Sequence, residues 1–138
     1  MAQTLEKHGF NLNFAPVLDL SNNNKSFIAK KERCLSKDAK KIIAHSKEFI
    51  KTHLDNNVLT VGKHFPGQGS AIGDTHDSFV DVSKTWSSNE LLPYELEEFP
   101  GRSFYRNSGS SARTGIEISY KRYKMHRRRS SGVISIEN

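Results

Sequence analysis

Three apolar segments and their order constrain this chain more than any other feature. Leu12 to Leu18 (LNFAPVL) is a nearly continuous apolar run, closed by Asp19 and a polar Ser21-Asn22-Asn23-Asn24 loop. A run without alternation is what a strand covered on both faces requires. From Ser36, a good N-cap, Ala39, Ile42, Ile43, Phe49, Ile50 and Leu54 recur at helical spacing while lysines occupy the opposite face, until Asp55-Asn56-Asn57 ends the pattern. Val58 to Val61 then supplies a second buried strand. Strand, amphipathic helix, strand predicts an α/β fold with parallel pairing and a right-handed crossover. After a polar loop, Leu91, Leu92, Leu96 and Phe99 predict another helix, initiated at Pro93.

Length limits how much of such a fold is present. The chain has 138 residues, enough for one ordinary domain but short of the roughly 250 that a closed (β/α)₈ barrel typically needs. Apolar residues make up 35% of the chain and the mean hydropathy is −0.65, which is lean for a globular core. The formal charge of +6 is unevenly distributed. Residues 1–99 hold 12 Lys/Arg against 13 Asp/Glu, a balance of −1, whereas residues 100–138 hold 9 against 2, a balance of +7. Residues 100–138 are also rich in Ser, Gly and Arg and show little periodicity before a short Val133-Ile134-Ser135-Ile136 patch, so this tail reads as largely disordered. A single cysteine, Cys34, excludes an internal disulfide and suits a reducing cytoplasm, although a periplasmic protein also carries single cysteines. No stretch has the apolar length of a signal-peptide core or a membrane span, so neither membrane nor targeting is expected.

The residues that carry chemistry follow the second strand. Lys63 to His76, KHFPGQGSAIGDTH, places a lysine, two histidines, a carboxylate and several glycines where that strand ends. In parallel sheets ligands gather at the carboxyl ends of strands, which is where Asp19, Lys63 and His64 fall.

These blocks resemble the N-terminal catalytic barrel of family 3 glycoside hydrolases, in its bacterial β-N-acetylglucosaminidase (β-hexosaminidase) branch. NFAPVLDL at 13–20 is similar to that family's NFAPVxDx strand, ERCLS at 32–36 to its ERSFS, and KHFPGQG with the following DTH at 74–76 to its KHFPGHG and D-S/T-H. ELLPYE at 90–95 extends the likeness, which covers roughly residues 9–99. Gln68 stands where the family usually has histidine, and Cys34-Leu35 stands where it has Ser-Phe. The resemblance implies a partial (β/α)₈ barrel of about two β/α units over residues 1–99. It also implies retaining hydrolysis of terminal β-linked N-acetylglucosamine in cell-wall turnover.

By the same resemblance His76 is the catalytic acid/base and Asp74 its partner. An imidazole titrates near neutrality, and a carboxylate accepting its Nδ1 proton fixes the tautomer, so the pair can act as acid and then as base. Arg33, Lys63 and His64 match substrate-binding positions, with donors suited to the hydroxyls and amide carbonyl of an N-acetylated sugar. The glycines at 67, 69 and 73 are expected to leave the loop mobile enough to swing His76 toward the glycosidic oxygen. The family's nucleophile is an aspartate in an S-D-D-like context on a later strand. No such motif follows residue 99, and Glu137 in the Val133–Glu137 patch is not assigned that role. No nucleophile is therefore identified, and the chain alone is expected to be inactive. The abrupt change at residue 100 is what a frameshift or truncated reading frame produces. Translating the encoding DNA in its other frames would test this.

Other readings of the same residues are weaker. An isolated Asp-x-His is usually a surface hydrogen-bonded pair, and Arg33 and Lys63 taken alone would be ordinary solvated charges. His64, His76, Asp74 and Asp77 do not match the spacing of a closed zinc set, so no metal is expected. Gly67, Gly69 and Gly73 do not match a dinucleotide loop, and no cofactor is expected. Cys34 reads as an inert small side chain. A β-glucosidase-like member of the same family is the near alternative. The tail, with Tyr120-Lys121-Arg122-Tyr123-Lys124 and Arg127-Arg128-Arg129, is compatible with nucleic-acid contact, but a polycation binds phosphate without specificity and no specific nucleic-acid partner is expected.

Overall fold

The computed structural model describes residues 1–74 and 80–95, together with the backbone of three short strands within 103–137. The chain opens with helix α1 (Ala2–Lys7), strand β1 (Leu12–Asn13), the short helix α2 (Phe27–Lys30) and the long helix α3 (Ala39–Leu54). Strands β2 (Leu59–Thr60) and β3 (Gly62–Phe65) follow, then a 3₁₀ helix (Ser88–Tyr94). Strands β4 (Ser103–Arg106), β5 (Lys124–Arg127) and β6 (Val133–Glu137) complete the described backbone.

The expected β-α-β unit is present. β1 pairs with β2 in parallel, Leu12 opposite Leu59 and Asn13 opposite Thr60. Backbone hydrogen bonds carry the pairing on beyond these residues. Val61 N–H donates to the Asn13 and Ala15 carbonyls at 2.9 and 3.1 Å, Lys63 N–H to Pro16 O at 3.0 Å, and Leu18 N–H to Lys63 O at 2.6 Å. The two segments therefore run side by side to Leu18 and Lys63, which brings Asp19 and His64 to the same end.

Helix α3 crosses between these strands and packs against them through its apolar stripe. Leu18, Leu20, Ile42, Ile50, Phe65 and Tyr94 form the main buried cluster, with Ala39, Ile43, Leu54 and Leu91 packed against it. Burying each such side chain contributes roughly 1.5–3 kcal/mol. At the other end of the unit His53, buried on the last turn of α3, donates from Nδ1 to Phe49 O at 2.8 Å and meets Asn13 Nδ2 at 3.1 Å through Nε2. Because a carbonyl only accepts, Nδ1 carries the proton and Nε2 accepts from Asn13.

Several local expectations shift. The α3 N-cap is Asp38, whose side chain accepts from Lys40 N–H at 2.9 Å, while Ser36 Oγ instead accepts from Asp38 N–H at 3.0 Å. Both residue types suit an N-cap, and the two-residue offset follows from which of them reaches a free helical N–H. Pro93 does not start a helix. It lies inside the 3₁₀ helix that begins at Ser88, near whose start Ser87 O accepts from Glu90 N–H at 3.0 Å. Leu96 and Phe99 lie outside the described residues. Helices α1 and α2 were not expected; α2 occupies a single turn capped by Ser26, whose Oγ accepts from Ala29 N–H at 3.2 Å.

Within 100–138 the described backbone forms β4, β5 and β6. β4 runs parallel to β3, with Gly62 opposite Phe104 and Lys63 opposite Tyr105, and the sheet order is β3-β4-β6-β5. Two of these stretches, SFYR and VISIE, include aromatic or β-branched residues that suit extended backbone. The remainder of the tail lies outside the described residues, and so do the basic-aromatic cluster at 120–123 and Arg128-Arg129.

After β3 the chain turns back across the sheet end. A second small cluster, Ala71, Val80 and Val82 with Trp86 against it, lies beside this turn. Trp86 Nε1–H donates to Pro66 O at 3.3 Å, so the segment after β3 is tied to the chain that leads into the 3₁₀ helix.

Candidate active site

The site is built at the carboxyl ends of the two parallel segments, around the buried carboxylate of Asp19. No part of Asp19 is exposed. Its Oδ2 lies 2.6 Å from His64 Nδ1, and its Oδ1 accepts from Gln68 N–H at 2.8 Å and from His64 N–H at 3.3 Å. Tyr94 Oη donates to the same Oδ1 at 3.5 Å. A buried carboxylate needs this many donors, because leaving its lone pairs unmet costs several kcal/mol. The phenol of Tyr94 is held well above its ordinary pKa by burial first, then by the negative charges of Asp19 and Glu90, so it remains a donor. Its ring meets Phe65 edge-on, with centroids 5.5 Å apart, which locks the hydroxyl under the site.

Arg33 approaches from the loop between α2 and α3. Its Nη2 lies 3.4 Å from His64 Nε2. Lys63, the residue before His64, is half-buried. Burial and then the Arg33 guanidinium push its ammonium below the ordinary lysine value, while Asp19 opposes them. Arg33, Lys63 and His64, singled out in sequence as a group, are thus brought together in space. Cys34, next to Arg33, has its thiol pushed up to about 12 by burial and by Asp19, Arg33 partly opposing, which fits the reading of it as inert.

The loop after β3 is held against the sheet end more firmly than its glycine content suggests. A Cβ on Gly69 would stand 1.6 Å from Leu20 O, so glycine is required there for close backbone approach. Gly69 N–H donates to Glu90 Oε2 at 3.0 Å. Gly67, at φ +116°, sits so close to Glu90 that a Cβ would meet Glu90 Cβ at 2.6 Å. At residues 67 and 69 the missing Cβ permits close contact with Glu90 and Leu20. Glu90 itself is completely buried. Burial pushes its carboxyl above the ordinary range, and hydrogen bonds, including that from Gly69, oppose the shift.

Asp74 is half-buried and is the last residue described before 75–79. His76 lies outside the described residues, and with it the geometry of the Asp74–His76 pair. Among the described residues no group of His, Cys, Asp and Glu is arranged to hold a metal ion, and no helix is long and apolar enough to cross a membrane.

Sequence reasoning left three contributors unassigned. Asp19 was placed at the strand tip but given no partner. Tyr94 and Glu90 had no role, and Ser87 with Glu90 has the spacing of a capping box, which would have directed the carboxylate to its own helix and not to Gly69.

A parallel β-α-β unit whose polar side chains gather at the carboxyl ends of its strands is an α/β enzyme scaffold. The sequence pattern of the glycosyl hydrolase family 3 N terminal domain matches residues 1–97, and the chain belongs to that family. A β-hexosaminidase of Photobacterium profundum is 42% identical over 76 residues, covering 55% of this chain and 22% of that protein. One from Xylella fastidiosa is 37% identical over 98 residues, covering 68% and 28%. Among solved structures, a β-N-acetylhexosaminidase from Beutenbergia cavernae superposes with a TM-score of 0.55 at 29% identity, over 65% of this chain and 30% of that one. NagZ from Neisseria gonorrhoeae shares the fold at a TM-score of 0.64 and 22% identity, over 80% and 33%. The chain spans less than a third of the length of the β-hexosaminidases it matches.

Proposed function

We propose that this chain carries the sugar-orienting and acid/base part of a retaining β-N-acetylhexosaminidase acting on terminal β-linked N-acetylglucosamine. The observation that carries the reading is the meeting of Arg33 with His64 at 3.4 Å beside Lys63, at the carboxyl ends of parallel strands. Cationic and N–H donors converging there suit the hydroxyls and acetamido carbonyl of an N-acetylated sugar. The names of the β-hexosaminidases to which the chain is similar support the same sugar class.

In the proposed reaction His76, oriented by Asp74, donates a proton to the glycosidic oxygen as a carboxylate attacks the anomeric carbon, so the glycosidic C–O bond breaks, the aglycone leaves as an alcohol and a glycosyl ester remains. The deglycosylation step reverses the roles, His76 taking a proton from the water that attacks the glycosyl intermediate. No candidate for the attacking carboxylate has been identified in this chain, so the purified chain binds sugar but does not turn it over.

Two measurements test this. Incubation with a chromogenic β-N-acetylglucosaminide should release no chromophore above background, in the wild type or in His76→Ala, and clear turnover would overturn the assignment of the nucleophile elsewhere. Titration with N-acetylglucosamine, followed by amide NMR, should shift residues 63–64 and leave them unshifted with glucose. Equal shifts with both sugars would favour the β-glucosidase-like reading.

A further inference from the structure

Asp19 takes no part in the proposed reaction, yet it is completely buried and every polar atom of its side chain is engaged. Its two oxygens are not equivalent. Oδ1 receives the main-chain N–H groups of Gln68 at 2.8 Å and His64 at 3.3 Å, and the Tyr94 hydroxyl at 3.5 Å. Among the described residues, Oδ2 meets the ring of His64, at 2.6 Å from Nδ1. An ionised carboxylate only accepts, so Nδ1 must carry the hydrogen. The other ring nitrogen, Nε2, is then a lone pair, and the group 3.4 Å away is Arg33 Nη2, which only donates. The polarity of both contacts is consistent with a single tautomer.

From this geometry we infer that Asp19 is a positioning residue for the sugar-binding face: by holding the proton of His64 on Nδ1 it makes Nε2 the acceptor that orients the Arg33 guanidinium. The inference rests on the reading of Arg33, Lys63 and His64 as the sugar-binding group. It assigns His64 a role different from that of a proton donor to substrate. The order runs from the buried carboxylate through the imidazole to the exposed guanidinium, so a charge that touches no sugar sets the direction of one that does.

The asymmetry of Asp19 supplies a sharp test. In Asp19→Asn the main-chain N–H groups of Gln68 and His64 retain the side-chain oxygen at the Oδ1 position, which places the amide NH₂ where Oδ2 stood, facing His64 Nδ1. Two donors cannot face each other, so the ring must take the opposite tautomer, with its hydrogen on Nε2 pointing at Arg33. The substitution conserves shape and reverses one polarity.

The experiment is ¹⁵N-imidazole NMR of the full chain, with His64 assigned by comparison with His64→Gln, alongside N-acetylglucosamine titration. The wild type should show a neutral ring protonated on Nδ1. Asp19→Asn should show protonation on Nε2 and sugar binding weakened about tenfold or more, as expected when a donor loses its partner. Arg33→Met should leave the Nδ1 tautomer in place while losing sugar binding. A proton on Nε2 in the wild type, in a neutral or a charged ring, overturns the inference, and this measurement does not depend on whether Asp19→Asn folds. An Asp19→Asn ring that keeps the wild-type tautomer overturns it as well. If the tautomers behave as stated and no form binds N-acetylglucosamine, the orienting role of Asp19 toward Arg33 stands and the hexosaminidase reading fails.

Discussion

His64 and Asp19 meet at 2.6 Å across 45 positions of sequence, the imidazole Nδ1 against a carboxylate with no exposure to solvent. The contact closes the carboxyl ends of the two parallel segments, and Arg33, Lys63 and the loop after β3 are arranged around it.

Removing the carboxylate should therefore cost more than a typical core substitution. Asp19→Ala leaves the His64 ring, two main-chain N–H groups and the Tyr94 hydroxyl without their acceptor. Breaking a buried pair from one side typically costs about 3–5 kcal/mol. Urea unfolding should show a loss of this size, larger than for Asp19→Asn, which keeps an acceptor for the main-chain groups.

Gly69→Ala should distort the site from the backbone outward. The new methyl would collide with Leu20 O, a main-chain atom that cannot rotate aside, and the Gly69 N–H bond to Glu90 would be displaced. Overpacking of this kind costs about 1–3 kcal/mol and occasionally more. Thermal unfolding of the variant should fall at the upper end, with amide shifts concentrated at residues 19–20 and 67–70.

Glu90 should give stability a pH dependence of recognisable sign. Its folded-state pKa is raised above the ordinary 4.5, first by burial. Between 4.5 and that raised value the folded chain holds more protons than the unfolded one, so stability falls as pH rises through the window. Glu90→Gln removes this proton difference while its side-chain oxygen can still accept from Gly69. Urea midpoints of the two proteins should show the wild type losing ground to the variant as pH increases from 4.5, and a difference that runs the other way would contradict the burial argument.

Cys34 should react slowly in the folded chain. With its thiol pushed up to about 12, first by burial, little thiolate exists at neutral pH. Reaction with a disulfide reagent should be at least about tenfold slower in buffer than in denaturing urea.

Much of this arrangement was legible in the sequence, and for identifiable reasons. An unalternating apolar run, a lysine-faced helix and a second apolar run pointed to the β-α-β unit and its parallel pairing, whereas the register of Leu12 opposite Leu59 came only with the structure. The position of Asp19, Lys63 and His64 at strand ends followed from that unit alone. The grouping of Arg33 with them came from the family resemblance, since residues 33 and 63 have no local relation. What stayed hidden depends on contacts between distant segments. The spacing of Ser87 and Glu90 suggests a cap, and only the approach of Gly69 diverts the carboxylate. The glycines at 67 and 69 look like hinges until the carbonyl of Leu20 and the side chain of Glu90 are seen against them. The start of α3 was displaced because Ser36 and Asp38 are both competent caps and only geometry chooses.

The chain contains one tryptophan, and its indole N–H rests on the carbonyl of Pro66, two residues beyond His64. Its intrinsic fluorescence is thus a natural optical probe of the motif segment. Undocking of that segment would expose the indole to water and red-shift the emission, so a spectrum of the unlabelled protein can report whether the loop is seated before any sugar is added.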